Sequence, residues 1–344
     1  MEIRPGIHRL ELPLEGGPPG GVNCYLIHGT DGYLLLDTGW NTPDTFDALS
    51  RQVEESGGSL KQIRQIVVTH IHPDHFGLAG RLRELSGARI VVHKNDAACI
   101  RSRYVEIDGL LDKIAQMLRE NGVPEDEIPG LRTASMAFVK LVLPAEPDEL
   151  ISGGEKLSTG LFEFEVIWTP GHSSGQICLY ERSQKLLFSG DHVMPLTTAH
   201  VGLHPESGPD PLGDYLKSLE LLRHLEVELV LPAHEHVFTG LSRRIDEIIA
   251  HHRKRDRAII GALRGGPRTA FEVARRIPWM LDSSPDGTGW SSLNSLDRRL
   301  AVMEAMAHLE AMRIRGIVRR RTSIGMILYR LAPGNGSQTP GNPN

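Results

Sequence analysis

The chain carries, at residues 69–77, the stretch Thr69-His70-Ile71-His72-Pro73-Asp74-His75-Phe76-Gly77, which places four metal-capable side chains within six residues. The apolar run Ile66-Val67-Val68 precedes it, and a β-branched run of this kind indicates an inner strand. On the extended chain that leaves this strand, His70 and His72 point to the same side, because side chains alternate with a period of two. Pro73 then turns the other two candidate ligands in a new direction. Two ligand pairs aimed differently favour a site for a pair of cations.

Four further aspartate or histidine side chains each follow an apolar, strand-like run. In chain order they are Asp37 after Tyr33-Leu34-Leu35-Leu36, His172 after Phe164-Glu165-Val166-Ile167, Asp191 after Leu186-Leu187, and His234 after Glu228-Leu229-Val230. Five motifs, each at the exit of a predicted strand, make chance a poor explanation of the pattern.

This series of motifs resembles the metallo-β-lactamase-fold hydrolases over about residues 1–240. The resemblance implies an α/β fold, a four-layer αβ/βα sandwich. It implies that Asp191 bridges two divalent metal ions, the first held by His70, His72 and His172 and the second by Asp74, His75 and His234. It also gives two aspartates catalytic roles. Asp74 would orient the proton of the attacking hydroxide, and Asp37 would hold a ligand histidine in one tautomer.

The ligand types indicate which metals fit. Imidazole and carboxylate ligands without thiolate suit zinc best, with iron or manganese as alternatives. Two such ions about 3.5–4 Å apart share a hydroxide that is a nucleophile at neutral pH. The predicted reaction is therefore a hydrolysis.

One histidine competes with the assigned ligands. His236 lies two residues beyond His234 and is the alternative in that loop. The family pattern Pro-Gly-His-Gly maps onto Pro232-Ala233-His234-Glu235, which favours His234, although Ala233 and Glu235 depart from the pattern and leave the loop geometry open. The remaining candidates are interpreted as pocket, surface or helix-face residues rather than ligands: His192, His200, His204, His251 and His252.

The composition predicts a soluble globular protein. The chain has 344 residues, 40% of them hydrophobic and 24% charged, with a net charge of −5. It has no apolar run long enough to span a membrane, and its N-terminus lacks the apolar core of a secretory signal. The scattered Cys24, Cys99 and Cys178 indicate packing residues in a reducing compartment. These features predict a cytoplasmic protein without a membrane partner.

The pattern divides the chain into two domains and a tail. Residues 1–240 form the predicted catalytic domain, with a helical insertion at about 96–142 whose apolar residues recur at helical spacing. Residues 241–333 follow as a long helix over Leu241 to Leu263, a capping-box sequence from Thr269, another helix and a strand pair, an order that resembles a winged-helix domain. The polar segment 334–344 is predicted to be disordered.

Function is predicted as hydrolysis of a small-molecule ester, thioester or lactone, with motifs similar to those of glyoxalase II. Asp191, together with the absence of a secretory signal, argues against a true β-lactamase, because those enzymes usually lack the bridging aspartate. Acyl-homoserine lactonases place a tyrosine shortly after the bridging aspartate. Here Val193-Met194-Pro195 follows instead, and the missing hydroxyl argues against that class of lactonase.

Two alternatives depend on the C-terminal domain, which carries 18 Lys and Arg against 9 Asp and Glu. The enzyme alternative is an endoribonuclease that cuts single-stranded RNA and grips it with this basic domain. The other is a DNA-binding metal sensor. A role of the winged helix in a homodimer contact is as consistent with the sequence as nucleic-acid binding.

Overall fold

Seven strands form the first sheet of the computed structural model, which describes residues 1–15, 20–279 and 289–333. The strands lie in chain order: β1 Glu2–Arg4, β2 Ile7–Leu12, β3 Val22–Gly29, β4 Gly32–Leu36, β5 Ile63–Val67, β6 Arg89–His93 and β7 Glu149–Ile151. The first four strands pair antiparallel and the last four pair parallel. The parallel strands bring the carboxyl ends of β4 and β5 to one edge, where the first two motifs begin.

Five strands form a second sheet in the order β12-β11-β10-β9-β8. Their bounds are β8 Lys156–Ser158, β9 Glu163–Trp168, β10 Ile177–Glu181, β11 Leu186–Gly190 and β12 Leu229–Pro232. Strands β11 and β12 are parallel, so their carboxyl ends also lie at one edge.

The two sheets pack face to face around buried apolar side chains. Ile27, Leu36 and Val67 of the first sheet belong to one cluster with Phe164 and Phe188 of the second. The opposite face of the first sheet buries the alternate residues against helices. Strands buried on both faces explain the continuous apolar runs in the sequence. The α/β sandwich predicted from the sequence is confirmed.

Helices occupy segments of the chain between the strands. The described helices are α1 Pro43–Glu55, α2 Pro73–Phe76, α3 Ala79–Ser86, α4 Lys94–Tyr104, α5 Ile107–Glu120, α6 Ile128–Arg132, α7 Met136–Val139, α8 Pro211–Arg223, α9 Leu241–Leu263, α10 Ala270–Ala274 and α11 Ser295–Ile314, with short 3₁₀ turns at Leu60–Gln62 and Trp290–Ser292. Helix α2 begins at Pro73, whose missing N–H costs nothing in a first turn. None of the described helices combines the length and apolar character that a bilayer crossing requires.

The described chain divides into two compact units. The first contains residues 1–107, 136–199 and 214–246, and the second contains 108–135, 200–213 and the described residues from 247 onward. In the second unit, Ile114, Leu118 and Leu131 of the predicted insertion share an apolar cluster with α9, α10 and α11. The domain boundary at residue 240 stays a prediction. Sequence order did not reveal that this insertion packs with the C-terminal helices.

The C-terminal elements follow the predicted order. Helix α9 has the predicted bounds, and Thr269 caps α10 in a capping box with Glu272. The strand pair is an antiparallel hairpin of β13 Val318–Ser323 and β14 Met326–Leu331, with an isolated bridge from Arg268 to Tyr329. Most of the predicted loop before α11 and the whole predicted tail at 334–344 fall outside the described residues. The winged-helix assignment therefore stays a prediction.

Candidate metal centre

Strand ends position the candidate ligands. Asp37 directly follows β4, and Asp191 directly follows β11. His70 comes after β5, and His234 comes after β12. Since β4 pairs with β5 and β11 with β12, the same sheet edges carry all four segments. The loop after β9 contributes His172.

Three imidazoles form a first group, which consists of His70, His72 and His172. Nε2 of His70 lies 3.0 Å from Nδ1 of His72 and 3.2 Å from Nε2 of His172, and the last two atoms are 3.0 Å apart. Tetrahedral zinc with Zn–N bonds of about 2.0–2.1 Å separates its nitrogen ligands by about 3.3 Å. The three nitrogens therefore have the spacing of ligands around one ion.

A second group consists of Asp74, His75 and His234. Nε2 of His234 lies 3.2 Å from Oδ2 of Asp74, and Nε2 of His75 lies 3.6 Å from the same oxygen. Each of the three residues offers one ligand atom within a common volume that could hold a metal ion.

Asp191 faces both groups with different oxygens. Its Oδ2 lies 3.6 Å from Nε2 of His172, which belongs to the first group. Its Oδ1 lies 3.4 Å from Nε2 of both His75 and His234, which belong to the second. The structure thus brings together all seven side chains that the sequence singled out as ligands, with one carboxylate between two sets.

Asp37 orients one imidazole of the second group, that of His75, through a hydrogen bond. Its Oδ2 lies 2.8 Å from Nδ1 of His75, and its two oxygens accept hydrogen bonds from the N–H and hydroxyl of Thr69, each at 2.8 Å. Asp37 is 1% exposed and has a left-handed backbone (φ 60°), which aspartate tolerates better than most residues. The carboxylate fixes Nδ1 of His75 as a donor and turns Nε2 toward Asp191. The main-chain oxygen of Gly21 plays the same part for Nδ1 of His234, at 2.8 Å.

The two groups differ in their electrostatics. Burial, together with neighbouring imidazoles, holds the pKa of His70 and of His72 well below the ordinary value. Burial also acts to lower the pKa of His75 and His234, but Asp191 and Asp74 outweigh it. They raise the pKa of His75 well above its ordinary value and that of His234 to about 9. Burial thus favours the neutral imidazole, which is the ligand form, in the first group, whereas carboxylates surround the imidazoles of the second group.

Two buried atoms test whether a cation fits. Nε2 of His75 and Oδ1 of Asp191 are inaccessible to solvent and have no hydrogen-bond partner among the described residues. A buried polar atom without a hydrogen bond is costly, and these two atoms lie 3.4 Å from each other in a group that could hold a metal ion. A divalent cation there would coordinate both, so the residues present fit a metal centre.

The other histidines lie elsewhere. His236 belongs to none of the metal-capable groups of the described residues. His192 is buried against the ring of Tyr215, and burial lowers its pKa to about 3. The remaining four have other partners. His200 bonds to the oxygen of Leu300, His204 accepts from the N–H of Glu206, His252 bonds to His308, and the ring of His251 packs against that of His252.

The structure also shows residues that sequence reasoning missed. Glu235 adopts a left-handed backbone (φ 68°) where the family pattern has glycine, and its carboxylate accepts hydrogen bonds from the N–H groups of Leu196 and Thr197. Asp96 bonds to the loops that carry the first group. The sequence signal for Glu235 was its departure from the family pattern Pro-Gly-His-Gly. Asp96 had no distinctive signal, because an aspartate in the first turn of a helix is common.

Comparison with known proteins extends these observations. The chain is 27% identical over 262 residues to YqjP of Bacillus subtilis, named a probable metallo-hydrolase, covering 75% of this chain and 81% of that protein. It is 30% identical over 224 residues to the acyl-coenzyme A thioesterase MBLAC2 of Gallus gallus, covering 63% of this chain and 73% of that one.

Solved structures give the same result. A metallo-beta-lactamase family protein of Thermus thermophilus superposes with a TM-score of 0.82 at 28% identity, covering 96% of this chain and 100% of that one. A beta-lactamase domain protein of Burkholderia ambifaria shares the fold with a TM-score of 0.75 at 23% identity, over 96% of this chain and 94% of that one. The family model of the metallo-beta-lactamase superfamily matches residues 17–234, which include all seven assigned ligands. The chain belongs to the metallo-beta-lactamase superfamily and is a metal-binding hydrolase of that group.

Proposed function

We propose that the chain is a dinuclear metal-dependent hydrolase of small thioesters or esters. The observation that carries the proposal is the position of Asp191, whose two oxygens face two separate groups of ligands. A site for one ion would need only one of these groups, whereas here a second complete group lies 3.4 Å from the shared carboxylate, which favours two ions. Two zinc ions bound there would lower the pKa of a water molecule and polarise the scissile carbonyl.

The chain's own residues divide the remaining work. Asp37 and the oxygen of Gly21 orient the two imidazoles of the second group, so that Nε2 of each faces Asp191. Asp74 has a side chain 18% exposed, against 12% for Asp191 and 2% for Asp37. It is therefore the carboxylate of the site most open to an incoming substrate. We therefore assign to Asp74 the role of orienting the proton of the attacking water or hydroxide.

The substrate class follows from relatives and from the loop after Asp191. A relative at 30% identity is named an acyl-coenzyme A thioesterase, which favours a thioester. Leu196 in the loop after Asp191 is 70% exposed, and this loop is held by Glu235 and Arg244. An exposed apolar side chain on this loop offers an apolar contact for the acyl chain of such a thioester.

The test compares an acyl-coenzyme A thioester, S-lactoylglutathione and a simple lactone with and without a chelator. Asp191→Ala should lose one metal ion and most turnover while staying folded. Asp148→Ala is the matched control, because Asp148 is a carboxylate of the same unit whose partners are Arg83 and Ile90. Turnover and metal content that are the same in Asp191→Ala as in the native chain would overturn the proposal.

A second candidate function is cleavage of single-stranded RNA, favoured by one observation. Arg319, Arg321 and Arg330 are exposed and share one face of the hairpin, with Arg319 directly opposite Arg330. Like charges in that position repel each other, and an anionic partner would relieve the repulsion. RNA cleavage that fades steeply with salt and is lost in Asp191→Ala would favour this candidate over the thioesterase.

The DNA-binding sensor has less support. The helix that would enter a groove is α11, and twelve of its residues between Arg299 and Met312 are buried. A helix without an exposed face along this stretch has no surface to present to base edges.

A further inference from the structure

Asp96 is a buried carboxylate in the first turn of α4, only 2% exposed. Its Oδ2 accepts hydrogen bonds from the N–H of Ile71 at 2.9 Å and the hydroxyl of Ser173 at 3.1 Å. Its Oδ1 accepts from the N–H of Gly175 at 2.6 Å and the hydroxyl of Ser174 at 3.4 Å. Four donors converge on one side chain that lies outside the ligand set.

The donors belong to the two segments that carry the first group. Ile71 lies between His70 and His72, and Ser173 directly follows His172. One carboxylate therefore joins loops that are about a hundred residues apart in sequence. Tyr104, at the other end of α4, donates a hydrogen bond to the oxygen of Ile71, so the helix holds this residue by both its N–H and its C=O.

Gly175 shows how closely the carboxylate is seated. A Cβ at this position would lie 2.6 Å from Cβ, Cγ and Oδ1 of Asp96. No side chain fits between the backbone of the loop and the carboxylate. The loop is therefore shaped around Asp96 and not merely near it.

The second group has separate supports. Asp37 holds His75, and the oxygen of Gly21 holds His234. Neither of these contacts involves α4 or Asp96. Loss of Asp96 should therefore disturb the first group while leaving the orientation of the second intact.

We infer that Asp96 is a positioning residue that fixes the three imidazoles of the first group at the spacing one metal ion requires. This inference rests on the proposed function, because it takes the first group as a metal site. Partners that orient ligands without touching the metal typically contribute about 10- to 100-fold to its affinity. The affinity of the first site alone should depend on Asp96.

The experiment uses two single-site backgrounds of the full chain. His234→Ala leaves only the first group intact, and His172→Ala leaves only the second. Zinc affinity is measured in each background by competition with a chromophoric chelator, with and without Asp96→Asn. The amide keeps the size of the carboxylate but offers one acceptor oxygen, so that donors on one side meet an NH₂ group.

The expected result is a loss of about 10- to 100-fold in zinc affinity in the His234→Ala background and no change in the His172→Ala background. Glu181→Gln is the matched control, because Glu181 is a buried carboxylate that accepts from Ser183 and the N–H of Gln184 at the far end of β10. Gly175→Ala, which displaces the carboxylate without removing it, should reproduce the effect of Asp96→Asn.

Equal loss in both backgrounds, or no loss in either, would overturn the role of Asp96. A native chain that binds no zinc would instead contradict the proposed function itself. Thermal unfolding of the metal-free variants checks that each is folded, and a variant that fails this check is replaced by Gly175→Ala in the same comparison.

Discussion

Substitution of Asp37 by asparagine should weaken metal binding at the second group without unfolding the chain. The carboxylate of Asp37 faces three donors, namely Nδ1 of His75 and the N–H and hydroxyl of Thr69, each at 2.8 Å. Asparagine has nearly the same shape and tolerates the left-handed backbone at φ 60°, so the change removes charge and one acceptor while keeping the volume.

The size of the effect follows from the bond that is lost. A hydrogen bond to a charged group contributes about 1.5–3 kcal/mol. Since each 1.4 kcal/mol corresponds to a factor of ten, the loss at His75 amounts to about 10- to 150-fold in zinc affinity. Part of this loss in affinity arises because the carboxylate no longer holds His75 in the tautomer with a proton on Nδ1, which is the one that leaves Nε2 free to bind metal.

The assay is zinc competition with a chromophoric chelator, with thermal unfolding of the metal-free chain as a check of folding. Glu155→Gln is the matched control, since its carboxylate accepts two backbone N–H groups at 2.7 Å in a turn that holds no candidate ligand. Two zinc sites of native affinity in Asp37→Asn would refute the reasoning. Weakening of the first site alone would also refute it, because Asp37 touches His75.

Three further predictions concern other parts of the chain. Burial, followed by the charge of His308, lowers the pKa of His252 to about 3, whereas an unfolded histidine titrates near 6.5. Its contribution is therefore present above pH 6.5 and is lost as pH falls toward 3, by about 1.4 kcal/mol per pH unit. His252→Gln should flatten the acid dependence of the unfolding free energy and the exposed His224→Gln should not; equal slopes would contradict this. Gly171→Ala should lower the melting temperature and the zinc affinity, because the new Cβ would lie 2.4 Å from Cβ of Tyr215 beside the His172 loop; native values of both would contradict this. Thr269→Ala should cost about 1 kcal/mol in denaturant unfolding through loss of the capping box, and a change near zero would show that the box is not needed.

Local signals predicted much of the fold. The apolar runs at Tyr33–Leu36 and Ile66–Val68 lie in β4 and β5 or directly after them, because strands buried on both faces are apolar throughout. Helix α9 has its predicted ends, because the spacing of its apolar residues and the Gly265-Gly266-Pro267 stop are local features. The winged-helix assignment and the domain boundaries stay predictions.

The candidate ligands were also readable in the sequence, since each stands at or shortly after a strand end and has a side chain that binds metal ions. The sequence favoured His234 over His236 but left the geometry of their loop open. The structure brings His234 to 3.4 Å from Asp191, and it leaves His236 outside the metal-capable groups of the described residues. Two residues on one loop differ by their backbone directions, which depend on the left-handed turn at Glu235.

By itself, the sequence determined the chemistry of this protein, namely the imidazoles and carboxylates, their order and the strands that end before them. Only the tertiary structure decided how these groups are held. Asp96 and Asp37 act through hydrogen bonds to residues 25 to 79 positions away, and the helical segment at 108–135 joins the C-terminal helices through apolar packing. Periodicity and local spacing describe neighbours along the chain, whereas these contacts depend on how the sheets and helices bring distant segments together.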